Sequence, residues 1–199
     1  TFFYFCQPSA LTYDTQSYTS GALSGSAYGI IGLSTLIALC YIIPAIFLIQ
    51  FLGRKCQVKP LVLVFALIGG FFITGWLAGY ANTFSHEWVT ARLSSKNFFY
   101  RFEDAIMAPL VEEPLKLAAF IFAVYVVPTK SYKGLLLVAI TAGQGFQISE
   151  DFSYILSDLP DGFSYTISGI LGRTIGAVSS HWLYTSFLAI GLVLIWRSR

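Results

Sequence analysis

Glu112, Glu113, Glu150, Asp151 and His181 have side chains that do proton chemistry, and they interrupt three stretches that are otherwise apolar. An ionisable group at membrane depth costs roughly 2.5–3.5 kcal/mol on insertion scales, so it marks a functional site by default. Acidic pairs and an imidazole spread over three helices point to one shared polar site. Carboxylates with a histidine are the groups that activate water, so the chemistry expected is hydrolysis.

The first acidic pair stands in Pro109-Leu-Val-Glu112-Glu113-Pro114-Leu-Lys116. On a helix Glu112 and Lys116 are i,i+4 neighbours and can pair, while Glu113 points about 100° away. Such a pair leaves Glu113 to work on water. Two adjacent carboxylates with one lysine do not all ionise cheaply in a low dielectric, so a shared proton is expected. Pro109 and Pro114 remove backbone donors, which is tolerable where a segment lines a wet cavity. The competing reading, a structural Glu–Lys clasp between helices, has equal weight on these residues alone.

The second pair stands in Gly143-Gln-Gly145-Phe146-Gln-Ile-Ser-Glu150-Asp151-Phe-Ser-Tyr154. Phe146, Glu150 and Tyr154 follow i,i+4 spacing and share a face. That spacing lets Glu150 meet Glu113 or His181, with Tyr154 near enough to donate a hydrogen bond. Asp158 and Pro160 follow closely, so the acidic pair also reads as the outer end of a helix. Gly143 and Gly145, which permit close approach of another helix, favour a packed site.

Arg173 and His181 stand in the last apolar block, with Ser179, Ser180, Tyr184 and Thr185 nearby. On continuous helix the two would lie roughly 12 Å apart along the axis. Arg173 suits an oxyanion, a substrate carbonyl or a structural carboxylate. His181 suits a metal, an oxyanion or the orientation of a carboxylate. A lone histidine in a helix is more often a packed core residue. Its company of two acidic pairs at similar depth tips the reading towards function. His86, beside Glu87, reads as a surface residue.

The elements that must position these groups are transmembrane helices. The 199 residues are 56% hydrophobic and 11% charged, with a mean hydropathy of +0.69. Soluble domains carry about 25% charged residues. A net charge of +2 gives no case for nucleic acid as a partner. A span needs about 20 apolar residues. Five segments approach that length: about Tyr28–Leu52 with Pro44 as a kink, Pro60–Ala81, Asp104–Val127, Gly134–Leu156, and the block Phe163–Trp196. The second carries Gly75-Trp-Leu-Ala-Gly79, a face suited to close helix contact. The last block is too long for one perpendicular span, so its glycine-rich first part reads as a re-entrant or interfacial piece before a final helix near Ile175–Trp196. The expected fold is therefore all-α, a polytopic helical bundle of about five spans.

Basic residues orient it. Arg54, Lys55, Lys59, Lys130, Lys133, Arg197 and Arg199 share the side expected to be cytoplasmic. Residues 1–27 become a polar external stretch, 28–199 the helical core, and 82–103 an external loop whose Trp88, Phe98, Phe99 and Tyr100 suit the interface. Thr1–Cys6 reads as the tail of an upstream helix, and no charged leader or cleavage site is visible. Cys6, Cys40 and Cys56 lack metal or framework spacing and read as reduced thiols. Glu112 and Glu113 then lie roughly 13 Å in from the outside at 1.5 Å per residue. Glu150 and His181 each lie about six residues in, so the polar groups converge in the outer half of the bilayer.

No His-Glu-x-x-His, Gly-x-Ser-x-Gly or Gly-Lys-[Ser/Thr] is present, which removes zincins, serine hydrolases of that type and phosphate loops. What remains, Glu112-Glu113-x-x-Lys116, then Phe146-x-x-x-Glu150-Asp151, then Arg173 and a distal His181, resembles the PrsW family of intramembrane proteases. That family is a branch of the group that includes the CAAX prenyl endopeptidases and the Abi membrane proteins. The resemblance spans about Pro109–Gly191, with three motifs in the family order.

The resemblance implies hydrolysis of peptide bonds in or near the membrane, as in site-1 cleavage of a single-pass anti-sigma factor on the outer side. The implied partners are a substrate with a transmembrane helix and the lipid bilayer. The implied catalytic group is Glu112, Glu113, Glu150 and His181, with Lys116, Asp151, Arg173 and Tyr154 in support. Asp151 is a departure, since many relatives carry Asn there. The cofactor is none or zinc. Glu113, Glu150 and His181 are possible ligands with a water in the fourth position, whereas the related prenyl endopeptidases resemble glutamate-dependent enzymes. The alternatives are a proton-coupled carrier, though no inverted repeat is visible between the halves, and a non-catalytic immunity or scaffold protein.

Overall fold

A computed structural model describes residues 25–94, 96–179 and 181–198. Nearly all of the polar stretch 1–27, with Cys6, lies outside the described residues. The elements are α1 (Gly25–Lys55), α2 (Pro60–Ile68), a π-helical turn (Gly69–Thr74), α3 (Gly75–Arg92), α4 (Phe98–Arg101), α5 (Glu103–Val126), α6 (Tyr132–Asp158), a 3-10 turn (Leu159–Asp161), α7 (Phe163–Gly176), a second 3-10 turn (Ala177–Ser179) and α8 (His181–Arg197). Every element among the described residues is helical, as the sequence predicts.

Among the described residues, three helical stretches are long and apolar enough to cross a membrane: Gly25–Lys55, Pro60–Arg92 and Phe163–Trp196. Helices α5 and α6, with 24 and 27 residues, have the length but not the apolarity. They are the two that carry the acidic motifs. The external loop expected over 82–103 is mostly helix, because α3 runs on to Arg92. Hydropathy fades after Ala81, but Ala78, Ser85 and Val89 continue a buried stripe at helical spacing. His86 therefore lies on a helix, half exposed, with Nδ1 2.8 Å from the buried Glu103 carboxylate. Phe163–Trp196 divides as expected, with a 3-10 turn at Ala177–Ser179 rather than a break near Ile175. Arg173 and His181 are thus not on one continuous helix.

The described residues form two compact units. In the larger, residues 48–149 and 181–198, the core includes Ile49, Val62, Ala66, Ala119, Val138, Ala142 and Val193. Two helical stretches cross there with backbone against backbone. A Cβ on Gly70 would lie 2.0 Å from the Ala142 carbonyl oxygen, and one on Gly145 would lie 2.2 Å from that of Leu67. Only glycine fits at either position. Helix α5 continues unbroken through Pro109 and Pro114, both of them exposed.

In the smaller unit, residues 25–47 and 150–179, α1 turns Ser34, Ala38 and Ile42 inward at helical spacing. Pro160 ends α6, and Thr166 of α7 ties down the turn by donating to the carbonyls of Asp158 and Gly162 at 2.9 and 3.0 Å. Burial raises the Asp158 carboxyl above its ordinary range, aided by the nearby Asp161 and opposed by a hydrogen bond from Ser157 and by Arg173.

Candidate functional site

The larger unit gathers its polar groups around one ammonium. Lys116 is fully buried, and its Nζ lies 2.8 Å from Glu113 Oε1, 3.2 Å from Glu112 Oε2 and 2.7 Å from His181 Nδ1. An ammonium has three N–H donors and no acceptor, and here it meets three acceptors. With Lys116 charged, Nδ1 of His181 accepts. The ring proton of the neutral imidazole is then on Nε2, an assignment made from the hydrogen-bond pattern. The Phe146 ring lies under the ammonium, 4.2 Å from Nζ to the centroid, and meets the His181 ring edge-on at 4.8 Å.

The expectation that a Glu112–Lys116 pair leaves Glu113 unengaged is corrected. Residues i+3 and i+4 from one lysine both fall within its reach, so Lys116 holds both carboxylates. The two still differ. The Glu112 side chain is 8% exposed and accepts a further bond from Asn82 Nδ2 at 3.1 Å. The Glu113 side chain is 18% exposed, and among the described residues its second oxygen meets a long 3.5 Å contact from Thr185 Oγ1. Asn82 Oδ1 is buried without a hydrogen-bond partner among the described residues.

His181 is brought to Lys116 by a glycine. A Cβ on Gly143 would lie 2.6 Å from Trp182 Cα and 2.8 Å from the His181 carbonyl oxygen. The first turn of α8 rests directly on the α6 backbone, as expected of a packed site. The Thr185 hydroxyl donates to the His181 carbonyl at 2.8 Å and fixes that turn.

The smaller unit holds the second acidic pair. Arg173 of α7 donates from Nε to Asp151 Oδ1 at 2.5 Å and from Nη2 to Glu150 Oε2. Its guanidinium stacks 3.9 Å above the Tyr154 ring. Asp151 is fully buried. Of the partners open to Arg173, the structure gives it the carboxylates of Asp151 and Glu150. Tyr154 serves that cation through its ring.

Two contributors carry no signal in the sequence. Asn82 is one amide among polar residues at the end of a span. Tyr41, one aromatic residue in an apolar helix, donates its hydroxyl proton to Asp151 Oδ2.

Residues 58–199 match a family model described as PrsW family intramembrane metalloprotease. No curated protein and no solved structure matches the chain. The matched region includes both acidic motifs, Arg173 and His181, and covers well over half of the sequence. The chain belongs to the PrsW family of intramembrane proteases.

Proposed function

We propose that this protease cleaves single-pass membrane proteins near the outer face of the bilayer, in the manner of site-1 cleavage, with Glu113 as general base. The supporting observation is the buried Lys116 ammonium that ties Glu112, Glu113 and His181 together. Glu113 is the more open of the two carboxylates. It takes a proton from water as the water oxygen bonds to the scissile carbonyl carbon. His181 donates from Nε2–H to the oxyanion that forms, where a fixed donor in a dry site is most effective. The proton held by Glu113 then passes to the leaving nitrogen, the C–N bond breaks, and a carboxyl and an amine remain. Lys116 offsets the charge of both carboxylates, and Asn82 holds Glu112. Glu150 belongs to the reaction on the strength of its motif alone.

Two carboxylates and an imidazole are ligands that zinc accepts, and the family description names a metal. In the larger unit, however, the donor atoms of Glu112, Glu113 and His181 converge on Lys116 Nζ. A divalent ion at that point would have to displace the fully buried ammonium. The Lys116 cluster supports a lysine-centred glutamate reading of that point. Helices α5 and α6 complete a five-span topology, with the amino-terminal side of α1 outside and the end of α8 cytoplasmic. The basic residues after α1, after α5 and at the end of α8 support that orientation.

The test is quantitative proteomics of membranes and medium, comparing wild type with Glu113→Gln at equal expression. Cleavage should fall by about 10²–10⁴-fold, the range for a general base. Single-pass proteins should then accumulate uncleaved while their ectodomains leave the medium. Treating wild-type membranes with a zinc chelator should not reproduce that pattern. If neither fraction changes in Glu113→Gln, the assignment is wrong.

A further inference from the structure

Tyr41 lies outside residues 58–199, the span matched by the family, yet it touches Asp151 of the second acidic pair. We propose that Tyr41 is a positioning residue, whose hydroxyl decides how Arg173 is shared between Asp151 and Glu150. The inference rests on the protease reading and extends it to a helix the motifs do not reach.

One guanidinium faces two carboxylates, so the cluster of Glu150, Asp151 and Arg173 carries a net charge of about −1 when all are ionised. Asp151 is fully buried, whereas the Glu150 and Arg173 side chains are 17% and 22% exposed. A buried carboxylate draws in every donor within reach, and an arginine beside one prefers to bond it with both prongs of its fork. The observed pattern is different. Nε serves Asp151 and Nη2 serves Glu150, so the fork is split. The split is possible because the other Asp151 oxygen is served by Tyr41. Without that hydroxyl, Oδ2 competes for Nη2, and Glu150 loses its hold on the guanidinium.

The same logic explains why a second carboxylate is tolerable beside Glu150. The extra charge at residue 151 is met by a donor from α1. With Asn at 151 the amide competes weakly for the guanidinium, Arg173 stays with Glu150, and the Tyr41 hydroxyl becomes dispensable. A tyrosine that merely filled space would show no such dependence on residue 151.

The experiment measures the initial rate of Glu113-dependent ectodomain release from membranes by pulse-chase, at equal membrane levels, for wild type, Tyr41→Phe, Asp151→Asn and the double variant. Tyr41→Phe should lose about ten- to a hundredfold, the usual effect of removing an outer positioning contact. In the Asp151→Asn background the same change should cost less than about twofold, so the double variant releases faster than Tyr41→Phe alone. Wild-type rates in Tyr41→Phe overturn the proposal, as does a tenfold loss between Asp151→Asn and the double variant. Should Tyr41→Phe fail to fold, that second pair still decides. Release that does not depend on Glu113 in wild type removes the protease reading, and this one with it.

Discussion

The two polar clusters use the same parts and differ in the cation. Each sets a pair of adjacent carboxylates against one basic side chain stacked on an aromatic ring of α6: Lys116 over Phe146, and Arg173 over Tyr154. The lysine is a point charge that gathers three acceptors from two helices, one of them an imidazole. The arginine is a planar fork that spans two neighbouring carboxylates. An ammonium can rotate its donors and give up a proton, whereas a guanidinium does neither in a protein. The lysine cluster is therefore suited to moving protons, and the arginine cluster to holding geometry.

Exchanging the cations tests that division most severely. Lys116→Arg brings a wider, forked group into a fully buried point contact and should lower cleavage by about 10²–10⁴-fold, as loss of the base does. Arg173→Lys replaces the planar fork with a shorter-reaching point charge and should cost about ten- to a hundredfold, as an outer contact does. Cleavage rates at matched membrane levels rank the two. Equal losses would erase the distinction between working and holding clusters.

Glycines separate the units next. Gly143→Ala drives a methyl group into the first turn of α8 and should destabilise by about 1–3 kcal/mol, with a loss of cleavage as His181 is displaced. Gly172→Ala on α7 meets nothing within 4 Å and should be neutral or stabilise by up to about 1 kcal/mol. Thermal unfolding in detergent reads both.

The smallest effect belongs to Asp158. Its carboxyl binds a proton more tightly when folded, so stability is highest below its ordinary range and falls as pH rises through the raised value. Asp158→Asn should remove that slope and change stability by under about 0.5 kcal/mol at neutral pH. Unfolding midpoints from pH 3.5 to 7 would show it.

The contrast between the clusters was partly legible in the sequence. The acidic residues stood out because charge in an apolar run is rare, and the glycines flanking Gln144 announced a close crossing. The break within Phe163–Trp196 followed from length. Three things were hidden. Lys116 holds both carboxylates because a long side chain erases the 100° between neighbours on a helix, which spacing alone does not convey. Asn82 and Tyr41 are single residues without a pattern, made relevant by helices packed from distant parts of the chain. Helix α3 outlasts its hydropathy because its buried stripe continues in small and polar residues.

The placement of counter-charges also bears on how the protein is made. Lys116 has both carboxylates three and four residues back on its own helix, so the pairing can form as soon as α5 coils. That helix has its cation already matched before any tertiary partner arrives. Arg173 has no such companion on α7. Its acids emerge earlier, on α6, and its charge is met only when two separate helices find each other. One cluster is assembled by the secondary structure during synthesis, and the other has to wait for the fold.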